Sequence, residues 1–163
     1  MLVGILSDSH GQHLVVRQAL ALFDQLGVLQ IIHCGDVGGQ GVFDELVGRR
    51  VSFVWGNMDS PDGGLLAYLE TVGIVAPSKA PVRLEFDGKT FAVFHGHERN
   101  FNRAVRTLDV DYILHGHTHT PRDERVKGKR IINPGALHHV RRKTVATLDA
   151  AGDELTFHGV GNR

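Results

Sequence analysis

The chain has a single cysteine, Cys34, a single tryptophan, and no surplus of either charge, with 18 lysines and arginines against 18 aspartates and glutamates in 163 residues. A lone cysteine excludes an internal disulfide and fits a reducing compartment, so the cytoplasm is the expected location. Balanced charge removes the basic face that an extended nucleic-acid surface or an anionic membrane would need. Any anionic ligand must therefore be attracted locally. Long apolar runs are missing as well. Met1-Leu2-Val3-Gly4-Ile5-Leu6 carries no basic leader and soon meets Asp8, so it is expected to be a first strand and not a signal peptide or membrane span. No repeat, low-complexity segment or linker divides the chain, and residues 1–163 read as a single domain. A domain of this size buries roughly two-thirds of its unfolded surface, so it needs no metal merely to fold. What stands out is histidine, present eleven times.

Taken in order, Val3 to Ser7 reads as a strand ending at Asp8-Ser9-His10-Gly11, and Val15, Ala19, Leu22 and Leu26 follow at helical spacing until Gly27. Val28 to Cys34 repeats the pattern, with Gly35-Asp36, a glycine-rich loop and a short helix over Val42 to Val47. Val51 to Trp55 ends at Gly56-Asn57-Met58-Asp59. Three strand-then-helix units predict a mainly parallel sheet whose loops after the strand C-termini form a site. After a helical stretch at Leu65 to Thr71, Val82 to Phe86 and Thr90 to Phe94 flank a hairpin turn, and the second strand ends at His95-Gly96-His97. A helix over Asn100 to Leu108 leads to Tyr112 to His115 and then Gly116-His117-Thr118-His119. Further strands at Arg122 to Val126, Arg130 to Asn133, Thr144 to Leu148 and Glu154 to His158 make the second half strand-rich and predict largely antiparallel pairing. Two sheets packed face to face with helices outside is the simplest architecture for this order.

Seven residues fall at those strand ends: Asp8, His10, Asp36, Asn57, His95, His117 and His119. Carboxylate, imidazole and amide oxygen without thiolate suit borderline divalent ions and argue against a structural zinc site. Seven ligands exceed the needs of one ion and suit two that share a carboxylate, for which Asp36 is the natural bridge. Two divalent ions with Asp8, Asp36 and a bridging hydroxide leave the site net positive. The neutral Asn57 preserves that surplus, which attracts a phosphate to a protein without net charge. Paired ions about 3.5–4 Å apart lower the pKa of a shared water and stabilise charge on the phosphoryl oxygens. Hydrolysis of a phosphate ester is the expected chemistry.

Asp8-x-His10, Gly35-Asp36, Gly56-Asn57, His95 and Gly116-His117-x-His119, in this order, resemble the calcineurin-like metallophosphoesterase superfamily, and the short chain is similar to its small prokaryotic phosphodiesterase branch. Asn133-Pro134-Gly135 is similar too. The resemblance implies an α/β fold, a four-layer α/β/β/α sandwich of two mixed sheets flanked by helices. It places Asp8, His10, Asp36 and His119 around one ion and Asp36, Asn57, His95 and His117 around the other. Manganese is the expected metal, with iron, zinc or nickel as alternatives, and a dimer or tetramer is implied. Many members follow Gly-Asn with a histidine that protonates the leaving group; here Met58 stands in that place, and a thioether donates no proton. His97 is the expected substitute, ahead of His138 or His139, so the catalytic set is Asp36, Asn57 and His97. The implied activity is a small-molecule phosphodiesterase. Its rivals are a phosphomonoesterase or nucleotide phosphatase, and a non-catalytic scaffold like the membrane-trafficking coat subunit that shares the fold.

Other residues have plainer readings. His13, His33, His115, His138, His139 and His158 are expected to be ordinary hydrogen-bonded histidines, and Cys34 a buried small residue. Asp59 is open between a partner for a ligand histidine and a loop cap. Gly38-Gly39-Gln40-Gly41 lacks the spacing and lysine of a phosphate-cradling loop. Arg99, Arg103 and Arg106, like Arg141-Arg142-Lys143, favour a solvated face over a basic rim. Leu65-Leu66-Ala67-Tyr68-Leu69 is expected in the core; exposed, it would be the docking patch that a scaffold needs.

Overall fold

The computed structural model describes residues 1–161. Strand β1 (Leu2–Leu6) is followed by helix α1 (His13–Leu26), β2 (Gln30–His33), α2 (Gln40–Leu46), β3 (Val51–Phe53) and α3 (Gly63–Thr71). Then come β4 (Val82–Phe86), β5 (Lys89–Val93), α4 (Phe101–Thr107), β6 (Tyr112–Leu114), β7 (Arg122–Val126), β8 (Lys129–Asn133), β9 (Thr144–Asp149) and β10 (Glu154–Gly159). They form two five-stranded sheets, in the orders β10-β9-β1-β2-β3 and β4-β5-β6-β8-β7. Both are mixed. In the first, β1, β2 and β3 run parallel, while β9 pairs antiparallel with β1 and β10.

The strand pattern explains the layers. Alternate residues of a strand face opposite sides. Val3 and Ile5 of β1 and Ile32 of β2 meet Phe91 and Val93 of β5 and Leu114 of β6 in an apolar layer between the sheets. Leu6, Ile31 and Phe53 face the other way, onto α1, α2 and α3. Ala92, Phe94, Ile113 and Ile131 cover the outside of the second sheet, under α4. The result is the expected α/β/β/α order.

Two expectations are corrected. The buried face of α1 is Val16, Ala19, Leu20 and Phe23, about one residue round from the predicted stripe. Gly4 is the reason: a Cβ there would lie 2.7 Å from the Phe23 ring, so the bare backbone of β1 seats that aromatic and sets the helix rotation. The antiparallel pairing expected of the second half holds for four of its six ladders; the exceptions are those of β6, which is parallel to both its neighbours, β5 and β8, and β9 and β10 return to the first sheet. Finally, only Leu69 of the Leu65–Leu69 run is fully buried, and Leu66 is 42% exposed. Helix α3 lays Leu65, Tyr68 and Leu69 on the first sheet's helical layer and leaves Leu66 and Ala67 exposed.

At the edge where β1 begins, the sheets are tied by polar contacts. Tyr112 O–H donates to Asp153 Oδ1 at 3.0 Å, and Arg130 Nη1 donates to the same oxygen at 2.7 Å. The Met1 ammonium pairs with Asp87 across the same edge. Burial and the Asp153 partner push the Tyr112 phenol up to about 12. No helix among the described residues is long and apolar enough to cross a membrane.

Candidate metal centre

The opposite edge collects the loops that leave β1, β2, β3, β5 and β6 at their C-terminal ends. Asp8, His10, Asp36, His117 and His119 sit in these loops with φ of 52°, 43°, 53°, 68° and 58°. Non-glycine residues rarely adopt that left-handed region, and strain of this kind gathers at functional sites. Gly116 lets two of the loops meet. A Cβ there would fall 1.9 Å from Ser7 Oγ and 2.5 Å from Asp8 Oδ2, so the β6 loop approaches the β1 loop only because the side chain is absent.

Two clusters of ligand atoms form there: Asp8, His10 and His119, and Asp8, Asp36 and His95. His119 Nε2 lies 3.2 Å from Asp8 Oδ1, and His10 Nε2 lies 3.6 Å from Asp36 Oδ2. His95 Nε2 is 3.3 Å from Asp36 Oδ2 and 3.0 Å from Asn57 Oδ1. Asp8 is common to both clusters, while Asp36 Oδ2 faces histidines of both. His95 Nδ1 is 2.8 Å from the Cys34 carbonyl, which can only accept, so Nδ1 carries a proton and Nε2 is the atom turned toward the centre. Nε2 faces Asp36, Asn57 and Asp8 oxygens, and in the metal-free protein a proton on it pairs with Asp36. Asp8 Oδ1 and His10 Nε2 are buried without any hydrogen-bond partner. Ligand atoms that converge with more lone pairs than protons to share repel one another unless a cation lies among them, and the donor set fits a divalent metal.

The electrostatics agree. Burial alone would raise the Asp36 carboxyl, but the His95 hydrogen bond, the Met58 N–H and the nearby His10 hold it at about 2. For His95, burial opposes charging, yet Asp36 and the Cys34 carbonyl raise it. Burial pushes His33 down to about 3 and His115 down to about 4, so both stay neutral and structural. The Cys34 thiol is raised well above its ordinary value by burial, as expected of an inert core residue.

His117 is exposed, its ring 5.1 Å from that of His95, and it lies outside the two tight clusters. Its N–H donates to Asp8 Oδ2 at 3.1 Å. His97 is exposed on the same side, its ring 5.3 Å from His95 and 6.2 Å from His117. The His138 and His139 rings lie on the other side, 5.7 Å and 6.0 Å from His10. Asp59 proves to be a cap, accepting from the N–H groups of Val37, Gly38 and Gly56 at 3.1, 3.0 and 2.8 Å.

Several supporting residues escape sequence reasoning. Ser7 Oγ donates to Asp8 Oδ2 at 2.6 Å. The Gly35 N–H donates to His33 Nδ1, which leaves Nε2–H to donate to Ser9 Oγ at 2.8 Å, and Ser9 passes its proton to the Val37 carbonyl. Glu98 accepts from the His95 and Gly96 N–H groups at 2.8 and 2.7 Å. Asn133 Nδ2 donates to the Gly116 carbonyl at 2.8 Å, which explains the Asn133-Pro134-Gly135 loop. Ser7 was the readable one, a hydroxyl beside a carboxylate at a strand end. Ser9 and Asn133 act across long sequence separations, while Glu98 folds back on donors two and three residues before it without any motif to mark it.

A fold of two mixed sheets with this strand-end cluster defines a class. The chain belongs to the calcineurin-like phosphoesterase superfamily, whose domain profile matches residues 1–153. Among particular proteins, it is similar to Phosphodiesterase MJ0936 of Methanocaldococcus jannaschii, 29% identical over 138 residues and 83% of each chain. Probable metallophosphoesterase YsnB of Bacillus subtilis is 28% identical over 182 residues, 95% of each chain. The solved structure of an archaeal phosphodiesterase matches with a TM-score of 0.87 at 26% identity, covering 98% of this chain and 99% of that one. Vps29 from Entamoeba histolytica, in complex with zinc, shares the fold at a TM-score of 0.65 and 21% identity, over 98% of this chain and 91% of its own.

Proposed function

We propose that this protein is a metal-dependent phosphodiesterase that cleaves a small phosphodiester at a pair of divalent ions, with manganese the first choice. The observation that carries the reading is the meeting of acceptor atoms from both sheets, with Asp8 Oδ1 and His10 Nε2 buried and unpartnered. Asp8, His10, Asp36 and His119 would hold one ion, and Asp36, Asn57, His95 and His117 the other. The position of Asp36 Oδ2, within 3.6 Å of His10 Nε2 and 3.3 Å of His95 Nε2, supports its role as the bridge. When bound, such a pair supplies an activated water and polarises the phosphoryl oxygens.

The remaining work falls to the chain. Asn57 presents an amide oxygen where a carboxylate would cancel positive charge, and so it keeps the centre attractive to an anion. The Cys34 carbonyl fixes the His95 ring, and the Asp8 and Ser7 pair fixes the β6 loop. Met58, 67% exposed, has no proton for a leaving oxygen. His97 is exposed beside His95 and His117 and is the proposed donor. The likeness to named phosphodiesterases supports the diester over the monoester.

The test strips the protein with chelator, restores Mn²⁺ and compares bis-p-nitrophenyl phosphate with p-nitrophenyl phosphate. Faster, metal-dependent turnover of the diester, lost in Asp36→Asn, is the expected result. Preference for the monoester would replace the reading with a phosphomonoesterase, and failure to bind metal would leave only the scaffold. His97→Gln should slow esters with poor leaving groups by about 10²-fold and spare p-nitrophenyl esters. Equal rates for poor leaving groups would remove His97 from the mechanism.

A further inference from the structure

We propose that a second anion subsite adjoins the metal centre, formed by Arg141, Arg142 and Lys143, and that the substrate is a phosphodiester carrying a second phosphate. This inference rests on the phosphodiesterase reading above. The sequence pattern alone favours a solvated face for this triplet; its position in the fold adds what the pattern lacks.

Ile5 of β1 pairs with Ala146 of β9, so two residues further on Thr144 comes level with Ser7, and Thr144 pairs in turn with Gly159 of β10. Strands lie about 4.8 Å apart, which puts the end of β10 about 10 Å along the sheet edge from the end of β1. The linking loop is anchored at each step. The Leu137 N–H donates to the Asp8 carbonyl, the Thr144 N–H to the Ala136 carbonyl, and the Val160 N–H to the Lys143 carbonyl, at 3.3, 3.2 and 3.0 Å. Between these anchors, the His138 and His139 rings contact each other at 3.7 Å and face His10, so the chain leads directly from a proposed metal ligand to the basic triplet.

There it encloses a cavity of about 510 Å³, walled by Val140, the three basic residues and the Gly159–Gly161 turn. The Arg142 guanidinium lies against Gly159, 3.9 Å from where a Cβ would be. Among the described residues no carboxylate lines the cavity and none of the three cations makes an ion pair. Arg17, Arg49, Arg122, Arg125 and Arg130 are paired, whereas Arg50, Arg83, Arg99, Arg103 and Arg106, like the triplet, make no ion pair among the described residues; the triplet is set apart by the three cations that line one hollow. In a protein without net charge, three unpaired cations around one hollow concentrate positive potential next to the site of cleavage. Guanidinium forks match phosphate oxygens in two-point contact, and the cavity's distance along the edge suits a phosphate on the same substrate as the scissile one.

The experiment uses the p-nitrophenyl ester of thymidine 5′-phosphate, with and without a 3′-phosphate, on the Mn²⁺-loaded protein. The ratio of kcat/KM for the two esters should favour the 3′-phosphorylated one by about tenfold, mainly through KM. It should fall to near one in Arg141→Ser/Arg142→Ser and be largely kept in Arg141→Lys/Arg142→Lys. A ratio near one in the unaltered protein, or one that survives the serine variant, overturns the subsite. If neither ester turns over, the phosphodiesterase reading fails, and the subsite is then decided by calorimetry on chelator-stripped protein with thymidine 3′,5′-bisphosphate. Binding that the serine variant loses supports it; equal binding or none overturns it.

Discussion

Asp59 lies outside both clusters of ligand atoms, yet three N–H groups from two different loops end on its carboxylate. It joins the loop that carries Asp36 to the one that carries Asn57, so its loss acts on metal binding at one remove. Asp59→Ala should lower the stability of the metal-free protein by about 2 kcal/mol, because the donors are left without their charged acceptor. It should also weaken Mn²⁺ affinity about 10- to 100-fold, as changes behind the ligands do. Urea unfolding and a metal titration read the two effects separately, and an unchanged affinity would show that the loops hold their places without the cap. At this scale the sequence is informative about ligands and nearly silent about their supports. Asp8, His10, Asp36 and His119 are legible because each follows a strand in a motif. Asp59 next to a ligand amide looks the same whether it serves a histidine or three backbone donors. The choice depends on Val37 and Gly38, which spacing cannot bring near.

The loop after β6 is the element on which the centre depends most. Gly116→Ala would force a methyl into Ser7 Oγ and Asp8 Oδ2, and the two loops would part. A loss of about 1–3 kcal/mol is expected, along with most of the activity. Gly63→Ala, at the start of α3 with open space around its Cα, is the control and should be neutral or slightly stabilising. Thermal melts and diester turnover of the two variants check this, and a fully active Gly116→Ala would refute the crowding argument. Element by element, strand positions and hairpins were readable because apolar alternation and turn residues mark them. Asp87-Gly88 and Lys127-Gly128 do take left-handed φ, between 50° and 85°. The face of α1 was less so, since Val15 and Leu22 fit a stripe as well as Val16 and Phe23 do, and only the gap at Gly4 decides between them. Strand order was not readable at all: nothing local in Tyr112 to Leu114 says that both its neighbours run parallel.

For the whole molecule, the buried His33 links stability to pH. Its folded pKa, about 3, lies below its unfolded value of 6.5, chiefly through burial and with help from the charge of His95. The unfolded chain therefore binds the proton first as pH falls. The contribution is complete above 6.5 and is lost progressively toward 3. Between pH 7 and 5 the metal-free protein should lose about 2 kcal/mol on this account. Urea unfolding in chelator should show that loss, and His33→Gln, which keeps a donor and an acceptor, should reduce the slope; an unchanged slope would assign it elsewhere. The proposed ligands are also divided between the layers, with Asp8, His10, Asp36 and Asn57 carried by the first sheet and His95, His117 and His119 by the second. The apolar filling of Val3, Ile5, Ile32, Phe91, Val93 and Leu114, together with the polar ties at the far edge, sets how one layer lies on the other. An ion held from both layers acts as a gauge of their alignment. A change deep in that filling, remote from every ligand, would then present itself as a metal-affinity defect that excess manganese corrects, and a genetic screen would mistake it for damage to the active site.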